Sequence, residues 1–491
     1  MILSKLLKGV EIYKVIGGQN IKINNLSQNS KKTAKNTLFF CINGTKTDGK
    51  LYLNEATKNG AVAVILCKSE IETIEKLAKN SINVTFVFVD DVRKSMAIIS
   101  ANFYGNPQSK MKIIGITGTN GKTSCSYIIA GLLNSLQKKV GVIGTSGVFV
   151  CGKKYDAHMT TPDSIELFEI FAKMVNSNVE FCIMEVSAHA IYFEKIFGIN
   201  FAVKALTNIQ SDHLDFFGTQ KNYENTKKKF FEKYDFAVVN NDEMSRKIIT
   251  RQRECKMLSF GYSNSDLEIL EEHCELGKTE FLLKYNNKTF VVKTRLTGKF
   301  NILNVALSIG VLICLGFEIE NVIPKVSDIK SLAGRFDIVQ KNNNFNVIVD
   351  YAHTTKGLEN LLVTTKEVSN NKNIIVFGCP GERDTEKRFE MGKVAAEFCD
   401  EIFLTSDNPA SENALRIMFE IAEGIKSKNS KILLFLIENR KKAIKKAINS
   451  AKKQKKCNVL IVGKGVENYQ IVGDKLLSYS DYDVINGLLK K

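Results

Sequence analysis

A glycine-rich turn at residues 118–124, reading Gly-Thr-Asn-Gly-Lys-Thr-Ser, holds the residue types that bind phosphate. It stands between an apolar run and a segment of helical periodicity. Glycines let backbone N–H groups approach phosphate oxygens, and the N-terminus of the following helix adds partial positive charge. Lys122 would reach the terminal phosphates of a nucleotide, and the Thr123 hydroxyl would sit on Mg²⁺. A plain glycine-rich turn is the alternative, because Ile116 stands where a strict phosphate loop has its first glycine.

Three later segments add candidate side chains. Glu185 ends the apolar run 181–184, where surface carboxylates are uncommon. His213 is one of only five histidines and lies in the polar segment 207–215, Thr-Asn-Ile-Gln-Ser-Asp-His-Leu-Asp. Tyr223 precedes a run of three lysines, which begins at Lys227. Taken alone, a single histidine more often packs against its neighbours, and a basic run is typical of a solvated helix face.

Together these segments resemble the Mur ligases, a family of ATP-dependent enzymes that form amide bonds. The resemblance covers about residues 30–470, and three of the five histidines lie inside matched segments. The family has a carbamylated lysine at a Tyr-x-x-x-Lys spacing, so the resemblance implies that CO₂ carbamylates Lys227, four residues after Tyr223. Carbamylation turns a cation into an oxygen donor suited to Mg²⁺. The resemblance also implies two Mg²⁺ ions, with Thr123, Glu185, His213 and carbamylated Lys227 as their ligands. The catalytic residues would be Lys122, Lys227, Glu185 and His213.

The last third of the chain carries three more matched segments. They are Gly-Arg-Phe-Asp at 334–337, Asp-Tyr-Ala-His at 350–353, and the asparagines of Gly-Lys-Phe-Asn-Ile-Leu-Asn at 298–304. In the family these positions lie near the nucleotide. The ATP-binding residues implied by the resemblance are Gly118, Thr119, Asn120, Gly121, Lys122, Thr123, Ser124, Asn301, Asn304, Arg335 and Asp350.

Within the family, the chain is most similar to the type that adds the third residue to UDP-N-acetylmuramoyl-L-alanyl-D-glutamate. The segments that carry this are Thr-Thr-Pro at 160–162, residues 379–391, Asp-Asn-Pro-Ala at 407–410 and Gly-Lys-Gly-Val-Glu at 463–467. The implied residues for the UDP-linked precursor are Ser30, Thr160, Thr161, Ser187 and Lys195. Those implied for the incoming amino acid are Arg388, Asp407, Asn408, Gly463 and Glu467.

Ala410 bears on which amino acid is added. Enzymes of this type that add meso-diaminopimelate usually have arginine there, which clamps the distal carboxylate in a bidentate contact. Alanine cannot make that contact, and L-lysine has no distal carboxylate to clamp. The sequence therefore favours L-lysine, with meso-diaminopimelate or another acceptor on a paralogous enzyme as alternatives. Departures from the family pattern fall in these two substrate sites, at Asn29, Lys31, Lys195, Thr355, Pro380 and Val466.

The elements that would position these residues follow an α/β pattern. Apolar runs such as 61–67, 236–240 and 401–404 alternate with helix-sized segments, and this alternation predicts strands at these runs in mostly parallel sheets. We expect three domains: a small N-terminal α/β domain at 1–108, a central phosphate-loop domain at 109–332 and a Rossmann-like, doubly wound domain at 333–491. A β-rich insertion is expected at 255–298, followed by a helix at 301–315. Asp350, Gly378, Asp407 and Gly463 follow directly on predicted strands, where ligands gather in doubly wound folds.

Composition indicates the class of protein and its cellular location. The chain has 491 residues, 44% of them hydrophobic and 25% charged, which is typical of globular proteins. Its eleven cysteines include no Cys-x-x-Cys pair, and no segment is long and apolar enough for a signal peptide or membrane span. We expect a monomeric cytoplasmic enzyme that binds neither membrane nor nucleic acid. The formal charge of +17 fits solvated helix faces and anionic substrates.

Two other functions remain open from sequence alone. Folylpolyglutamate and cyanophycin synthetases share the phosphate loop and the carbamate, but the Thr-Thr-Pro and Asp-Asn-Pro segments disfavour both. A nucleotide-gated binding module that has lost catalysis belongs to a different class. The presence of Thr123, Glu185, His213 and Lys227 argues against it.

Overall fold

The computed structural model describes residues 1–44, 48–72, 74, 84–155, 159–249, 255–342, 344–454 and 456–490. The chain forms two compact units. The first contains Met1–Leu258 and Val311–Gly316, and the second contains Ser259–Gly310 and Phe317–Lys491.

A five-stranded sheet forms the N-terminal part of the first unit. Its strands lie in the order Ile12–Ile16, Thr85–Val89, Ala61–Cys67, Thr37–Phe40 and Asn25–Ser27, and only the first pair is antiparallel. Both faces of the sheet are buried, so its strands are continuous apolar runs rather than alternating ones. The α-helices of this part are Leu3–Leu6, Leu53–Lys58 and Val92–Phe103, and short 3₁₀ turns lie at Ser30–Lys32, Gly49–Tyr52, Lys68–Glu70 and Pro107–Lys110.

The second sheet of this unit has the strand Lys112–Thr117 at its centre. Phe181–Glu185 and Val203–Leu206 flank it in parallel, and Val140–Gly144 and Phe236–Asn240 extend the sheet on either side. Gly147–Val150 and Lys153–Tyr155 add an antiparallel edge. The helices are Lys122–Ser135, Ser164–Asn176, Ala188–Tyr192, Leu214–Phe217, Gln220–Phe230 and Glu243–Ile248. The parallel register brings the ends of three strands, and the loops after them, to one edge.

The expected β-rich segment begins with the strand Lys256–Gly261, which contains the unit boundary. Leu267–Glu275, Lys278–Tyr285 and Lys288–Thr294 follow in the second unit as an antiparallel meander. The helices Lys299–Cys314 and Ile319–Val326 come next.

The rest of the second unit is a six-stranded sheet. Its order is Asp337–Lys341, Phe345–Asp350, Cys457–Val462, Lys372–Phe377, Glu401–Leu404 and Leu433–Leu436, and only the first pair is antiparallel. Apolar clusters cover both faces. The helices are Thr355–Val368, Glu386–Phe398, Ala414–Lys428, Arg440–Lys453 and Asp481–Leu489, and Tyr469–Val472 pairs with Lys475–Ser478 as a hairpin. The α/β fold class and the doubly wound C-terminal sheet are therefore confirmed.

In the part of the chain that the structure describes, no helix is both long and apolar enough to cross a bilayer.

Candidate active site

The phosphate loop leaves the central strand Lys112–Thr117 and ends where the helix Lys122–Ser135 begins. Gly118 has φ +141° and Gly121 has φ +86°, both in the region that favours glycine. A Cβ at Gly118 would also lie 1.9 Å from Thr207 Oγ1. Both glycines are therefore required by backbone conformation, and Gly118 by space as well.

The loop is held from the neighbouring strand end. Thr207 Oγ1 donates to the Asn120 carbonyl at 2.6 Å, and the Asn120 N–H donates to Asn208 Oδ1 at 3.0 Å. Thr119 Oγ1 lies 3.1 Å from the Tyr223 hydroxyl. The Thr-Asn pair at 207–208 thus supports the loop, a role that the sequence did not reveal for Asn208.

Glu185 lies beside the loop with only 1% of its surface exposed. Its Oε2 accepts from Thr123 Oγ1 and from Thr145 Oγ1, each at 3.1 Å, and its Oε1 accepts from the Thr145 N–H at 3.1 Å. A carboxylate and a hydroxyl are brought together here, as a Mg²⁺ site next to bound phosphate requires. Ser124, one position further along the helix, is half-buried.

The Thr-Thr-Pro segment packs onto the end of the same strand. Thr161 Oγ1 donates to the Glu185 carbonyl at 2.9 Å and accepts from the Ser187 N–H at 3.1 Å. Thr160 Oγ1 lies 3.1 Å from Thr145 Oγ1. Thr160, Thr161 and Ser187, predicted for the precursor, are therefore neighbours of the predicted metal ligand Glu185.

Lys227 reaches the phosphate loop from the helix Gln220–Phe230. Its side chain is 1% exposed, and Nζ lies 3.1 Å from both Thr117 Oγ1 and the Gly118 carbonyl oxygen. Burial lowers the pKa of this amine well below 10.5, and the nearby charge of Lys122 lowers it further. A neutral amine is the form that reacts with CO₂, so this environment suits carbamylation.

His213 is the most exposed of the four predicted catalytic side chains, with 47% of its side-chain surface accessible. It begins the short helix Leu214–Phe217 with φ +54°, and its ring packs edge-on against His189 with centroids 5.0 Å apart. Among the described residues, no group of three His, Cys, Asp or Glu side chains is arranged to hold a metal. The oxygen donors of Thr123 and Glu185 fit Mg²⁺, and a carbamate on Lys227 would add another.

A cavity of ~340 Å³ also lies in the first unit. Its lining includes Gln28, Arg93, Asp163 and Lys195. Lys195 Nζ and Gln28 Nε2 each contact one oxygen of Asp163 at 2.8 Å. Ser30 is not among the lining residues, and its hydroxyl donates to Glu55. The predicted precursor residues thus fall in three places within this unit: Lys195 at the cavity, Ser30 against Glu55, and Thr160, Thr161 and Ser187 beside Glu185.

In the second unit, the Asp350 carboxylate accepts from the Phe336 N–H at 2.6 Å and the Ala352 N–H at 2.7 Å. Desolvation raises the pKa of Asp350, while the charge of Arg335 opposes this shift. The Arg335 guanidinium lies 4.6 Å from the centre of the Tyr351 ring. Arg335 and Asp350 are therefore neighbours, as the resemblance requires.

The predicted asparagines lie at the start of the helix Lys299–Cys314 and are buried, at 4% for Asn301 and 7% for Asn304. Asn301 Nδ2 donates to the Thr297 carbonyl at 2.9 Å, and Asn304 Nδ2 donates to Asn301 Oδ1 at 3.1 Å.

Four of the five predicted amino-acid residues meet at the carboxyl ends of two strands. Asn408 Nδ2 donates to Glu467 Oε2 at 3.1 Å, and a Cβ on Gly463 would lie 2.6 Å from Asp407 Oδ2. Asp407 is 4% exposed, and burial raises the pKa of its carboxyl. This cluster also contains Lys464, which the sequence did not single out.

Arg388 is 1% exposed and is held by carboxylates. Its Nη1 and Nη2 each contact a Glu412 oxygen at 3.0 Å, and Nη1 lies 2.7 Å from Glu420 Oε2. Two acidic residues therefore already neutralise the arginine that was predicted to bind the amino acid.

Three domains of one protein family match successive parts of the chain. The Mur ligase family catalytic domain matches residues 22–104, the Mur ligase middle domain matches 116–312, and the Mur ligase glutamate ligase domain matches 334–465. The chain is 38% identical to "UDP-N-acetylmuramoyl-L-alanyl-D-glutamate--2,6-diaminopimelate ligase 1" of Clostridium acetobutylicum and 37% identical to the corresponding ligase of Clostridium botulinum. Both matches cover 100% of each chain.

Among solved structures, one described as a UDP-N-acetylmuramoyl-L-alanyl-D-glutamate--2,6-diaminopimelate ligase matches with a TM-score of 0.70 at 26% identity. The match covers 100% of this chain and 99% of the other. The chain belongs to the Mur ligase family. It is an ATP-dependent ligase that forms amide bonds, and its likeness is to the type that adds the third residue.

Proposed function

We propose that this enzyme adds the third amino acid to UDP-N-acetylmuramoyl-L-alanyl-D-glutamate during peptidoglycan synthesis. The observation that carries the proposal is the cluster in which Lys122, Lys227 and Glu185 surround the phosphate loop. The Thr-Thr-Pro segment of the third-residue type contacts the same cluster. The curated relatives, at 37–38% identity over the whole chain, are named for this acceptor.

The reaction would proceed in two steps. The γ-carboxylate of the D-glutamyl residue attacks the γ-phosphorus of ATP, forming an acyl phosphate and releasing ADP. The α-amine of the amino acid then attacks the acyl carbon, losing a proton, and phosphate leaves. Neither step requires a covalent bond to the protein, so the side chains act by positioning the reactants and by offsetting charge.

Lys122 suits this role because its Nζ donates to the carbonyls of Gly118 and Thr119, at 2.9 and 3.0 Å, and is thereby held over the loop. Thr123 and Glu185 would hold one Mg²⁺, while His213 and carbamylated Lys227 would hold a second. Bound Mg²⁺ would offset negative charge on the transferred phosphoryl group. We propose that the phosphate-loop residues bind ATP together with Asn301, Asn304, Arg335 and Asp350.

The precursor would use Lys195 at the cavity, Ser30, and the group Thr160, Thr161 and Ser187 beside Glu185. Lys195 is paired with Asp163, but the lining holds two cations, Lys195 and Arg93, against this one carboxylate, and a net positive charge suits an anionic diphosphate. Arg93, also in that lining, adds a second cation that the sequence prediction had not included.

For the amino acid we propose L-lysine. Position 410 carries this choice, because alanine offers no partner for a distal carboxylate and Arg388 is already neutralised by Glu412 and Glu420. Asp407 and Glu467 could accept an ammonium group instead. The second candidate is meso-diaminopimelate, which the names of the curated relatives favour.

We further propose that the enzyme acts in the cytoplasm, because its nucleotide substrates are cytoplasmic metabolites. We also propose that it is a monomer. Native mass spectrometry of the purified chain would test the oligomeric state, and a dimer signal at low concentration would contradict it.

Phosphate release tests the function directly. We expect ATP, the UDP-linked dipeptide precursor and L-lysine to give one phosphate per amide bond, with a product mass equal to precursor plus lysine minus water. Parallel reactions with L-ornithine and meso-diaminopimelate rank the amino acids. Nucleotide binding without phosphate release in all three mixtures would instead indicate a binding module.

Replacing Ala410 tests the amino acid. Ala410 has φ +50°, and arginine would adopt this conformation at a similar cost because both residues carry a Cβ. We expect Ala410→Arg to raise kcat/KM for meso-diaminopimelate relative to lysine about tenfold or more. Ala410→Met adds bulk without charge and is the control. An equal preference in both variants would contradict a role for position 410.

A further inference from the structure

Lys464 lies at the centre of the loops that carry the predicted amino-acid residues. Its Nζ donates to Asn408 Oδ1 and to Glu467 Oε2, each at 2.9 Å, and lies 3.7 Å from Asp407 Oδ1. The side chain is 0% exposed. Water therefore does not screen these contacts, and each is stronger than the same contact at the surface.

The lysine fixes the orientation of both partners. Asn408 Oδ1 accepts from Lys464 and from the Ile471 N–H, which leaves Asn408 Nδ2 to donate to Glu467 Oε2 at 3.1 Å. Glu467 Oε1 accepts from the Tyr351 hydroxyl at 3.2 Å. The Glu467 carboxylate thus has three donors, yet 17% of its side chain remains exposed and open to a ligand.

Lys464 also sets the charge of this cluster. Asp407 and Glu467 contribute two formal negative charges, and Lys464 contributes one positive charge. The neighbouring Arg440 is paired with Asp481, so this pair adds no net charge. One negative charge is left, which matches one ammonium group of a ligand.

We propose that Lys464 is a positioning residue, which holds Asn408 and Glu467 in place and leaves one negative charge for an ammonium group of the incoming amino acid. This proposal rests on the proposed function, because it deepens the account of the same amino-acid site. Lys464 itself does not touch the ligand and acts on it through Asn408 and Glu467.

Lys464→Met tests the proposal, since methionine keeps most of the length and removes the charge. We expect KM for the amino acid to rise about tenfold or more, while KM for ATP changes less than about twofold. Removing the ammonium takes away one of the positive charges that lower the pKa of Asp407. The acidic limb of kcat/KM for the amino acid therefore moves to higher pH, which a merely structural role would not cause.

Lys442→Met is the matched control, because Lys442 is exposed on the helix Arg440–Lys453. We expect it to change neither KM nor the pH profile. If Lys464→Met does not fold, Glu467→Gln is compared with Glu467→Gln/Lys464→Met, in which the carboxylate nearest the lost ammonium is also removed. Because much of the effect of Lys464 passes through Glu467, the second substitution should then raise KM for the amino acid less than about threefold.

Calorimetric titration with the amino acid separates this proposal from the proposed function. Weaker amino-acid binding in Lys464→Met supports the role of Lys464 even if the wild-type enzyme forms no amide bond. The absence of amide-bond formation would contradict the proposed function but not the role of Lys464. An active wild type, combined with unchanged amino-acid KM and an unchanged acidic limb in Lys464→Met, overturns the role of Lys464.

Discussion

Lys122 and Lys227 donate to the same atom, the carbonyl oxygen of Gly118, at 2.9 and 3.1 Å. Two ammonium groups on one oxygen would repel each other strongly in a site where Lys227 is fully buried. Burial and the charge of Lys122 both lower the pKa of Lys227, which favours its neutral form and relieves this repulsion. This arrangement suits the proposed roles, in which Lys122 meets phosphate and the Lys227 amine is carbamylated.

The first prediction concerns stability against pH. Between its lowered pKa and the ordinary value of 10.5, Lys227 is neutral when folded and protonated when unfolded, so unfolding takes up a proton. The free energy of unfolding therefore rises with pH in this window. In CO₂-free buffer, Lys227→Met should be more stable than wild type at pH 7, and the difference should shrink toward pH 10. Urea unfolding at several pH values measures it.

Lys442→Met is the control for that series, because the same substitution at an exposed site should change the free energy of unfolding by less than about 0.5 kcal/mol. A difference between wild type and Lys227→Met that stayed constant from pH 7 to pH 10 would show that Lys227 keeps its ordinary pKa.

The second prediction concerns CO₂. We expect enzyme dialysed against CO₂-free buffer to lose activity that bicarbonate restores. Lys227→Ala should lose activity about a hundredfold or more and should not respond to bicarbonate, because it has no amine to carbamylate. High acetate or chloride should restore part of its activity by placing an anion where the carbamate would be. Phosphate release measures all of these, and full activity of Lys227→Ala without additive would remove Lys227 from the mechanism.

The third prediction uses the space beside Glu185. A Cβ on Gly144 would lie 2.1 Å from Glu185 Oε1, so Gly144→Ala must displace the carboxylate. We expect the Mg²⁺ concentration for half-maximal activity to rise about tenfold although every functional group is retained. Gly487→Ala, in open space within the helix Asp481–Leu489, is the control and should stabilise the fold by up to about 1 kcal/mol. An unaltered Mg²⁺ dependence in Gly144→Ala would argue against Glu185 as a ligand.

Much of the fold could be predicted because its parallel strands are buried on both faces. Such strands are continuous apolar runs, and Ala61–Cys67, Phe236–Asn240 and Glu401–Leu404 occupy the predicted residues. The antiparallel edge strands Ile12–Ile16 and Asp337–Lys341 were missed. Their side chains are mostly exposed or half-buried, so no apolar run marks them.

The candidate site, like the fold, could be predicted from the sequence only in part. Asp350, Asp407 and Gly463 could be placed because each lies at or shortly after the carboxyl end of a strand, and parallel strands end at one edge. Lys464 and Asn208 could not, because their roles depend on side-chain contacts between loops far apart in sequence. The pairing of Arg388 with Glu412 and Glu420 was hidden for the same reason. Sequence spacing predicts which edge a residue occupies but not which partner it meets there.

The last prediction concerns the buried ion pair of Arg440 and Asp481, whose charges act on Asp407 in the amino-acid cluster. Arg440 and Asp481 are both 0% exposed, and the guanidinium contacts both carboxylate oxygens, at 2.8 and 2.7 Å. Arg440 Nη2 also donates to the Val462 carbonyl at 3.0 Å. Asp481→Asn leaves a buried guanidinium without its counter-charge, and we expect it to cost about 3–5 kcal/mol of unfolding free energy. Arg440→Met/Asp481→Asn removes both charges, so its cost should be smaller than that of Asp481→Asn, as measured by denaturant unfolding. Equal costs for the single and double variants would mean that the pair is not the source of the stabilisation.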